Sequence, residues 1–218
     1  PRSRGLGDVY KRQDVQVTTN PDTCQAADVL VLPGSRSTVS DLEWLRRSGI
    51  ADVVARRAEQ GRTVVGICGG YQMLCRTILD PDGQETTPGS VVEGLGLLPV
   101  EVDFAATKTL ALSHGTWRGI EVGGYEIHHG VCRSLEDAEA FLDGVHVGPV
   151  WGTMWHGAFE HDEFRRTWLA DAARHAGSSW RPHSDELGYQ ARREAMIETL
   201  ADALEAHVDV DRILHLVR

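Results

Sequence analysis

Two short apolar runs, each followed by a glycine turn and then by residues at helical spacing, constrain the fold of this chain more than any other feature. The first lies in ADVLVLPGS, residues 27–35, and the second spans Arg62 to Ile67, ahead of CGGYQML. Runs of this length bounded by Gly and Pro are typical of buried strands. Since helical segments with short links separate them, we expect an α/β fold whose parallel sheet is covered by helices on both faces.

Helices are predicted after both strands. Ser37 or Ser40 is a suitable N-cap for a helix that stops at Gly49, and residues 50–60 form a second helix that stops at Gly61. A third helix is predicted from Gly69 to Ile78. Ahead of these elements, residues 14–19 have the pattern of one more short strand.

The residue pattern of the chain changes after Pro81. Alternating, glycine-punctuated segments at 91–104, 107–119 and 123–130 predict a small antiparallel region, and residues 149–159 read as a strand that runs into a glycine. Residues 161–177 predict an amphipathic helix. A long C-terminal helix is predicted from Ser184 onwards, with Leu187 on its apolar side.

Composition limits the class of protein. The chain has 218 residues, is 41% hydrophobic and has a formal net charge of −10, which argues against nucleic-acid and anionic-membrane partners. No apolar run approaches the roughly 20 residues of a membrane span. Four irregularly spaced cysteines do not suggest a disulfide framework, so we expect a reducing cytoplasm. We expect one domain, residues 14–218, preceded by a foreign or disordered segment, residues 1–13.

Cys68 occupies a tight turn between the second strand and its helix, in the sequence GICGG. Such a residue lies at the carboxyl end of the sheet, where open α/β folds bind ligands. The pattern is the cysteine counterpart of the G-x-S-x-G nucleophile elbow. The unpaired amides of the helix are expected to lower the pKa of the thiol and to bind an oxyanion. The alternative is a structural cysteine that packs beneath the helix.

A cysteine nucleophile needs a base, which the fold and not the sequence brings near. His156 is the best candidate because it follows the strand-like GTMW and precedes a glycine. His128 and His129, in YEIHHG, are second. A zinc site from His114, His128, His129 and His156 is an alternative that no metal-ligand spacing supports, so no metal is predicted.

Five motifs in order resemble the C-terminal glutamine amidotransferase domain of the cobyric acid synthase family: LPGSRST, GICGGYQML, VEGLGLLPVEV, GGYEIHHG and GTMWHGAF. The resemblance runs from about Val15 to the C-terminus. It implies a flavodoxin-like class I amidotransferase fold, with a mixed, mostly parallel sheet and a small antiparallel region. The implied activity is release of ammonia from L-glutamine, which a synthetase domain of the same protein uses to amidate corrinoid carboxylates in cobalamin biosynthesis.

The resemblance also implies residue roles. Cys68 would be the nucleophile and His156 the base, with backbone amides at Gly34, Ser35 and Gly69 forming the oxyanion hole. The residues expected to shape the glutamine pocket, or the face that meets the synthetase, are Tyr71, Gln72, Tyr125, Glu126 and His128. Packing is an equal alternative for Tyr125, and an ordinary turn is the alternative for Pro33-Gly34-Ser35.

The sequence departs from the wider amidotransferase class in two ways. Ala158 stands where many members have a glutamate that orients the histidine, which leaves a Cys-His dyad and Glu160 as a weak candidate for that role. The chain also has no GxxxxGK[ST] loop, so ATP and magnesium are expected in a synthetase domain absent from this sequence, which we interpret as a fragment. The alternatives are the related cobyrinic acid a,c-diamide synthase, a silent interaction module, and a free-standing hydrolase of γ-glutamyl bonds.

Overall fold

The structure is a computed structural model that describes residues 15–182 and 188–216. The predictions for residues 1–13, Asp14, Ser184 and Leu187 lie outside these ranges. The helices are α1 Pro21–Ala26, α2 Thr38–Arg47, α3 Ile50–Glu59, α4 Gly69–Leu74, α5 Asp162–His175, α6 Tyr189–His207 and α7 Val210–Leu216, with a 3-10 helix at Ala158–Glu160. The strands are β1 Leu30–Leu32, β2 Val64–Ile67, β3 Thr77–Asp80, β4 Ser90–Glu93, β5 Val100–Trp117, β6 Ile120–Ser134, β7 Glu139–Phe141, β8 Gly144–Val147 and β9 Val150–Thr153.

The first sheet has the order β1-β2-β9-β8-β7. β1, β2 and β9 run parallel, whereas β8 and β7 are antiparallel additions. The predicted mixed α/β sheet is thereby confirmed. Ile67 pairs with Thr153, so β2 and β9 end side by side. Because carboxyl ends of neighbouring parallel strands meet at one edge, the residues that follow β2 and β9 come together there.

Helices cover both faces of this sheet, as predicted. On one face, α2, α3 and α4 pack over β1 and β2 through buried Leu42, Val53, Val54 and Leu74. On the other, Phe164 and Trp168 of α5 join Trp151 of β9 and Phe141 of β7. Rings of Phe141 and Trp151 meet edge to face at 4.9 Å, an arrangement that aromatic pairs prefer.

The second sheet has the order β4-β3-β5-β6 and is larger than the small antiparallel region predicted. The segment predicted at 91–104 divides between β4 and the start of β5, whereas 107–119 continues β5 and 123–130 lies within β6; β5 and β6 form a hairpin. Arg118 and Gly119 close the hairpin, both at positive φ (52° and 80°). Such two-residue turns match the twist of the flanking strands.

Two predicted elements are wrong. The helix predicted to run to Ile78 ends at Leu74, and Thr77–Asp80 is strand β3, since Ile78 is buried and the segment pairs with both β4 and β5. Residues 15–19 are not in a strand, and Val15 and Val17 are exposed. An alternating pattern forms a strand only when another strand supplies its hydrogen bonds.

Two elements escaped prediction. Helix α1 begins after Asn20, whose side-chain oxygen accepts hydrogen bonds from the amides of Asp22 and Thr23, with Pro21 in the first turn. The sequence NPDT carries this capping signal. The hairpin of β7 and β8 was also missed, and only the Asp143-Gly144 dipeptide hinted at a turn there.

The C-terminal helix is confirmed over Tyr189–His207, but none of its residues is buried. Its apolar side chains Met196, Ile197 and Leu200 are exposed. Across residues 15–182 and 188–216, no helix combines the length and the apolar character that crossing a membrane requires.

Arg57 of α3 is fully buried and holds the start of β1 in place. Its guanidinium donates to the backbone carbonyls of Cys24, Gln25, Ala27, Asp28 and Thr63 at 2.7–3.3 Å. Burial and the neighbouring charge of Arg62 lower its pKa to about 10, so the group remains charged at neutral pH. Arg57 therefore joins helix α1, the link to β1 and the residue before β2 at this end of the sheet.

An Arg57→Ala variant is expected to lower the free energy of unfolding by about 3 kcal/mol or more, because buried carbonyls lose a charged donor. Urea denaturation followed by circular dichroism measures the change. Arg56→Ala is the control: Arg56 is the exposed neighbour on the same helix, so its removal should change stability by less than about 0.5 kcal/mol. Equal unfolding midpoints for the two variants would contradict the structural role of Arg57.

Candidate active site

Cys68 lies between β2 and α4 with φ 51° and ψ −113°, a backbone conformation that residues other than glycine rarely adopt. Its N–H donates to the Thr153 carbonyl at 2.8 Å, which ties the turn to the end of β9. The turn leaves no room for a side chain at a neighbouring glycine, since a Cβ on Gly66 would lie 2.6 Å from the amide nitrogen of Tyr71. The predicted tight turn between strand and helix is confirmed, and its backbone strain is of the kind found at functional sites.

The environment of the Cys68 thiol differs from the prediction. Cys68 is only 4% exposed, and burial raises its pKa. A hydrogen bond from the Gly69 amide opposes this rise, whereas the negative charge of Asp143 adds to it. The Gly69 amide therefore acts in the predicted direction, but the net shift is opposite to the predicted lowering, because desolvation of a buried thiolate outweighs the one amide that bonds the sulfur.

His156 follows β9 and lies beside the elbow. A Cβ built on Gly34 would be 2.7 Å from Cε1 of His156 and 3.7 Å from Cβ of Cys68. The imidazole and the cysteine are therefore neighbours across Gly34, although they are far apart in the sequence. Burial lowers the pKa of His156, and the nearby His128 lowers it further, so the ring favours its neutral form.

The loop after β1 borders the same space. A Cβ on Gly69 would lie 2.7 Å from the backbone nitrogen of Ser35, so the backbone of Ser35 packs directly against Gly69. The Ser35 hydroxyl donates to Asp41 and accepts from the Ser37 amide at 2.9 Å, which holds the loop against the start of α2. The structure thus brings Gly34, Ser35 and Gly69 together, and their function as an oxyanion hole stays a prediction.

Tyr71 and Gln72 face the interior. Tyr71 is 1% exposed and packs against Gly152 so closely that a Cβ there would overlap the ring. The Oε1 of Gln72 accepts from the Thr38 hydroxyl at 3.0 Å, and its amide lies against Gly130. These contacts give both residues a packing role, and the predicted contribution to a glutamine pocket remains a prediction.

Strand β6 brings Tyr125, Glu126 and His128 towards the site. Tyr125 forms an isolated bridge with His156, and the side chain of Glu126 accepts from Ser113 and pairs with Nε2 of His128 at 2.9 Å. Burial alone would raise the pKa of Glu126, but the hydrogen bonds from Ser113 and His128 and the charge of His128 lower it below its ordinary value. Glu126 is therefore an anion on this side of the site.

Neither Ala158 nor Glu160 supplies an acid that binds the imidazole. Ala158 is fully buried in the 3-10 helix. Among the contacts of residues 15–182 and 188–216, neither ring nitrogen of His156 has a hydrogen bond. No direct contact therefore supports the orienting role predicted for Glu160.

Two charged residues near Cys68 were missed from the sequence. Asp143 accepts from the Thr153 hydroxyl at 2.6 Å and from the Met154 amide, which fixes the end of β9, and burial raises its pKa. The positive charge of Lys108 opposes the rise in the pKa of Cys68. Asp143 lies in the β7–β8 turn, where the sequence signalled at most a turn, and Lys108 lies within strand β5, so no local signal placed either residue near Cys68.

The zinc alternative has no structural counterpart in the part of the chain that is described, where no group of three or more His, Cys, Asp or Glu side chains is arranged to hold a metal ion. All four cysteines are free thiols. A separate pocket of about 390 Å³ is lined by Pro81, Phe104 and Arg133 among others, and it contains none of the predicted site residues.

Comparison with known proteins adds a family match, sequence relatives and a similar solved structure. Residues 8–164 match the CobB/CobQ-like glutamine amidotransferase domain. The chain is 45% identical over 205 residues to a cobyric acid synthase of Mycolicibacterium gilvum, which covers 94% of this chain and 40% of the relative. It is also 46% identical over 203 residues to a cobyric acid synthase of Streptomyces coelicolor. That alignment covers 93% of this chain and 39% of the relative. The chain thus spans about two fifths of the curated relatives it matches.

A solved glutamine amidotransferase has the same fold. Its TM-score is 0.55 at 23% sequence identity, and the match covers 73% of this chain and 85% of that one. The similarity supports the α/β architecture described above.

Proposed function

Because this chain belongs to the CobB/CobQ-like glutamine amidotransferase domain family, we propose that it hydrolyses L-glutamine with Cys68 as nucleophile and His156 as base. The observation that carries this proposal is the meeting of the two side chains across Gly34 at the carboxyl ends of β2 and β9. Acyl transfer requires a nucleophile and a base close together, and here distant segments bring them to one edge of the sheet.

The chemistry follows from the positions of these groups. His156 accepts the thiol proton while the sulfur of Cys68 attacks the amide carbon, and the carbonyl oxygen takes the negative charge. The backbone amides of Gly69 and Ser35, two residues that pack against each other, would stabilise that oxyanion. Collapse breaks the C–N bond, and His156 returns its proton to the leaving nitrogen, which releases ammonia. Water, deprotonated by His156, then cleaves the thioester and regenerates the thiol with glutamate.

The resting protonation state decides how His156 acts. The pKa of Cys68 is raised and that of His156 is lowered, both because of burial. The resting pair is therefore a neutral thiol beside a neutral imidazole, not an ion pair. In this state His156 serves as a general base during attack.

The acid limb of the pH profile should report His156. A lowered pKa keeps the imidazole neutral to lower pH, so kcat/KM for glutamine is expected to fall only as the pH drops below about 6.5, the ordinary value for histidine. Initial rates of ammonia release across about pH 5 to 8 measure this limb. An acid limb with an apparent pKa above 7 would contradict the neutral-pair assignment.

We propose further that the ammonia serves a cobyric acid synthase in the cytoplasm. The support is the name of the relatives that match 93–94% of this chain at 45–46% identity. In that protein a synthetase part would bind ATP and magnesium and activate corrinoid carboxylates. The residues described here offer no phosphate loop and no metal cluster for those cofactors, so no step of the mechanism in this chain uses them.

Two assays test the proposal at its two levels. The first measures ammonia and glutamate released by this chain from glutamine, with asparagine as the comparison substrate, and the expected result is glutamine-dependent ammonia. No hydrolysis, and no glutamine-protectable alkylation of Cys68, would instead favour a silent interaction module. The second gives the full-length protein ATP, magnesium, glutamine and each corrinoid. Amidation of cobyrinic acid a,c-diamide supports a cobyric acid synthase, and amidation of cobyrinic acid alone supports the related synthase.

A further inference from the structure

The imidazole of His156 is oriented without a carboxylate. Within the described ranges neither ring nitrogen has a hydrogen bond, and the position two residues onward is Ala158. The ring instead lies against that of Tyr125, with centroids 5.0 Å apart and planes inclined by only 14°. The backbones of the two residues also exchange hydrogen bonds of 2.9 and 3.0 Å.

We propose that Tyr125 is the positioning residue of the site, holding the imidazole of His156 in its place beside Cys68; this inference rests on the proposed function. The backbone bridge fixes where the side chain of His156 begins, which leaves rotation about its two side-chain bonds. The Tyr125 ring covers one side of the imidazole. The Gly34 backbone restricts the space around Cε1, where a Cβ would lie 2.7 Å away.

A face contact has a chemical consequence that a hydrogen bond does not. A carboxylate orients a histidine by occupying one ring nitrogen and favours the protonated ring. Stacking restrains the ring plane while both nitrogens remain unoccupied, and an uncharged partner leaves the low pKa of His156 in place. The arrangement therefore suits a general base that accepts the thiol proton and donates it to ammonia.

The aromatic face of Tyr125, and not its phenolic hydroxyl, positions the imidazole. Tyr125 is 43% exposed, and its ring carbons also lie 3.6 Å from where a Cβ on Gly157 would be. Phenylalanine has the same face and the same attachment, so it should replace tyrosine without loss. An aliphatic side chain keeps apolar contact but cannot stack.

The test compares three variants of this chain in the glutamine hydrolysis assay. Tyr125→Leu is expected to lower kcat by about 10-fold with KM changed less than about 2-fold, because a misplaced base affects the chemical step. Tyr125→Phe is expected to retain the parental kcat. Ile127→Ala is the matched control, since Ile127 lies two residues along the same strand face at the same 43% exposure, and its kcat should equal that of the parent.

A magnetic resonance measurement separates positioning from general destabilisation. The carbon-bound ring protons of His156, assigned with a His156→Ala variant, should be displaced by the ring current of residue 125 in the parent and in Tyr125→Phe. The displacement should vanish in Tyr125→Leu. A folded Tyr125→Leu protein with parental kcat would overturn the positioning role alone, as would a Tyr125→Phe variant as impaired as Tyr125→Leu. A parent that does not hydrolyse glutamine would overturn the proposed function, and this inference with it.

Discussion

A Cys68→Ser variant is expected to lose glutamine hydrolysis by a factor on the order of 10⁶, the scale of loss when a covalent nucleophile is removed. The hydroxyl of serine is a weak nucleophile without a strong base, and the neutral imidazole of His156 is suited to a thiol. Serine is close to cysteine in size and meets the same backbone strain at φ 51°, so the variant should fold. Ammonia release measures the activity, and urea denaturation measures the free energy of unfolding.

The matched control is Cys24→Ser. Cys24 has the same 4% exposure as Cys68, but it lies in helix α1 and belongs to no part of the site. Its replacement tests the cost of placing a hydroxyl in the core, and the hydrolysis rate should remain parental. Parental activity in Cys68→Ser would show that the nucleophile assignment is wrong, and equal losses in both variants would assign the effect to the core.

A His156→Ala variant is expected to lower kcat by about 10²- to 10⁴-fold, the range for a lost general base. The loss should be smaller than that of Cys68→Ser because the thiol and the neighbouring Gly69 and Ser35 amides remain. Single-turnover measurement of ammonia release separates the first acyl transfer from hydrolysis of the thioester. Both steps should slow, because the same imidazole serves both.

The control for a histidine loss is His207→Ala, on the exposed helix α6. Its rate should match that of the parent. A His156→Ala protein that is folded and retains a rate within about 2-fold of the parent would remove His156 from the mechanism. In that case His128, which lies on β6 and pairs with Glu126, would be the next base to test.

The sequence by itself determined the framework of the site. Glycine sterics around Cys68, the stop signals after α2 and α3 at Gly49 and Gly61, and the apolar runs that became β1 and β2 all act within a few residues, so they can be read locally. The placement of His156 at the end of a strand was inferred from the same kind of signal, and β9 ends three residues before it. The motifs pointed to the amidotransferase family that the domain match then established.

The tertiary structure decided what depends on partners distant in the sequence. Burial by surrounding segments reversed the predicted direction of the Cys68 pKa, and cross-strand pairing turned the end of a predicted helix into β3. The stack of Tyr125 on His156 exists because β6 passes beside the end of β9. Desolvation, strand pairing and ring contact are set by the three-dimensional neighbours of a residue, and a single sequence specifies those neighbours only once the chain has folded.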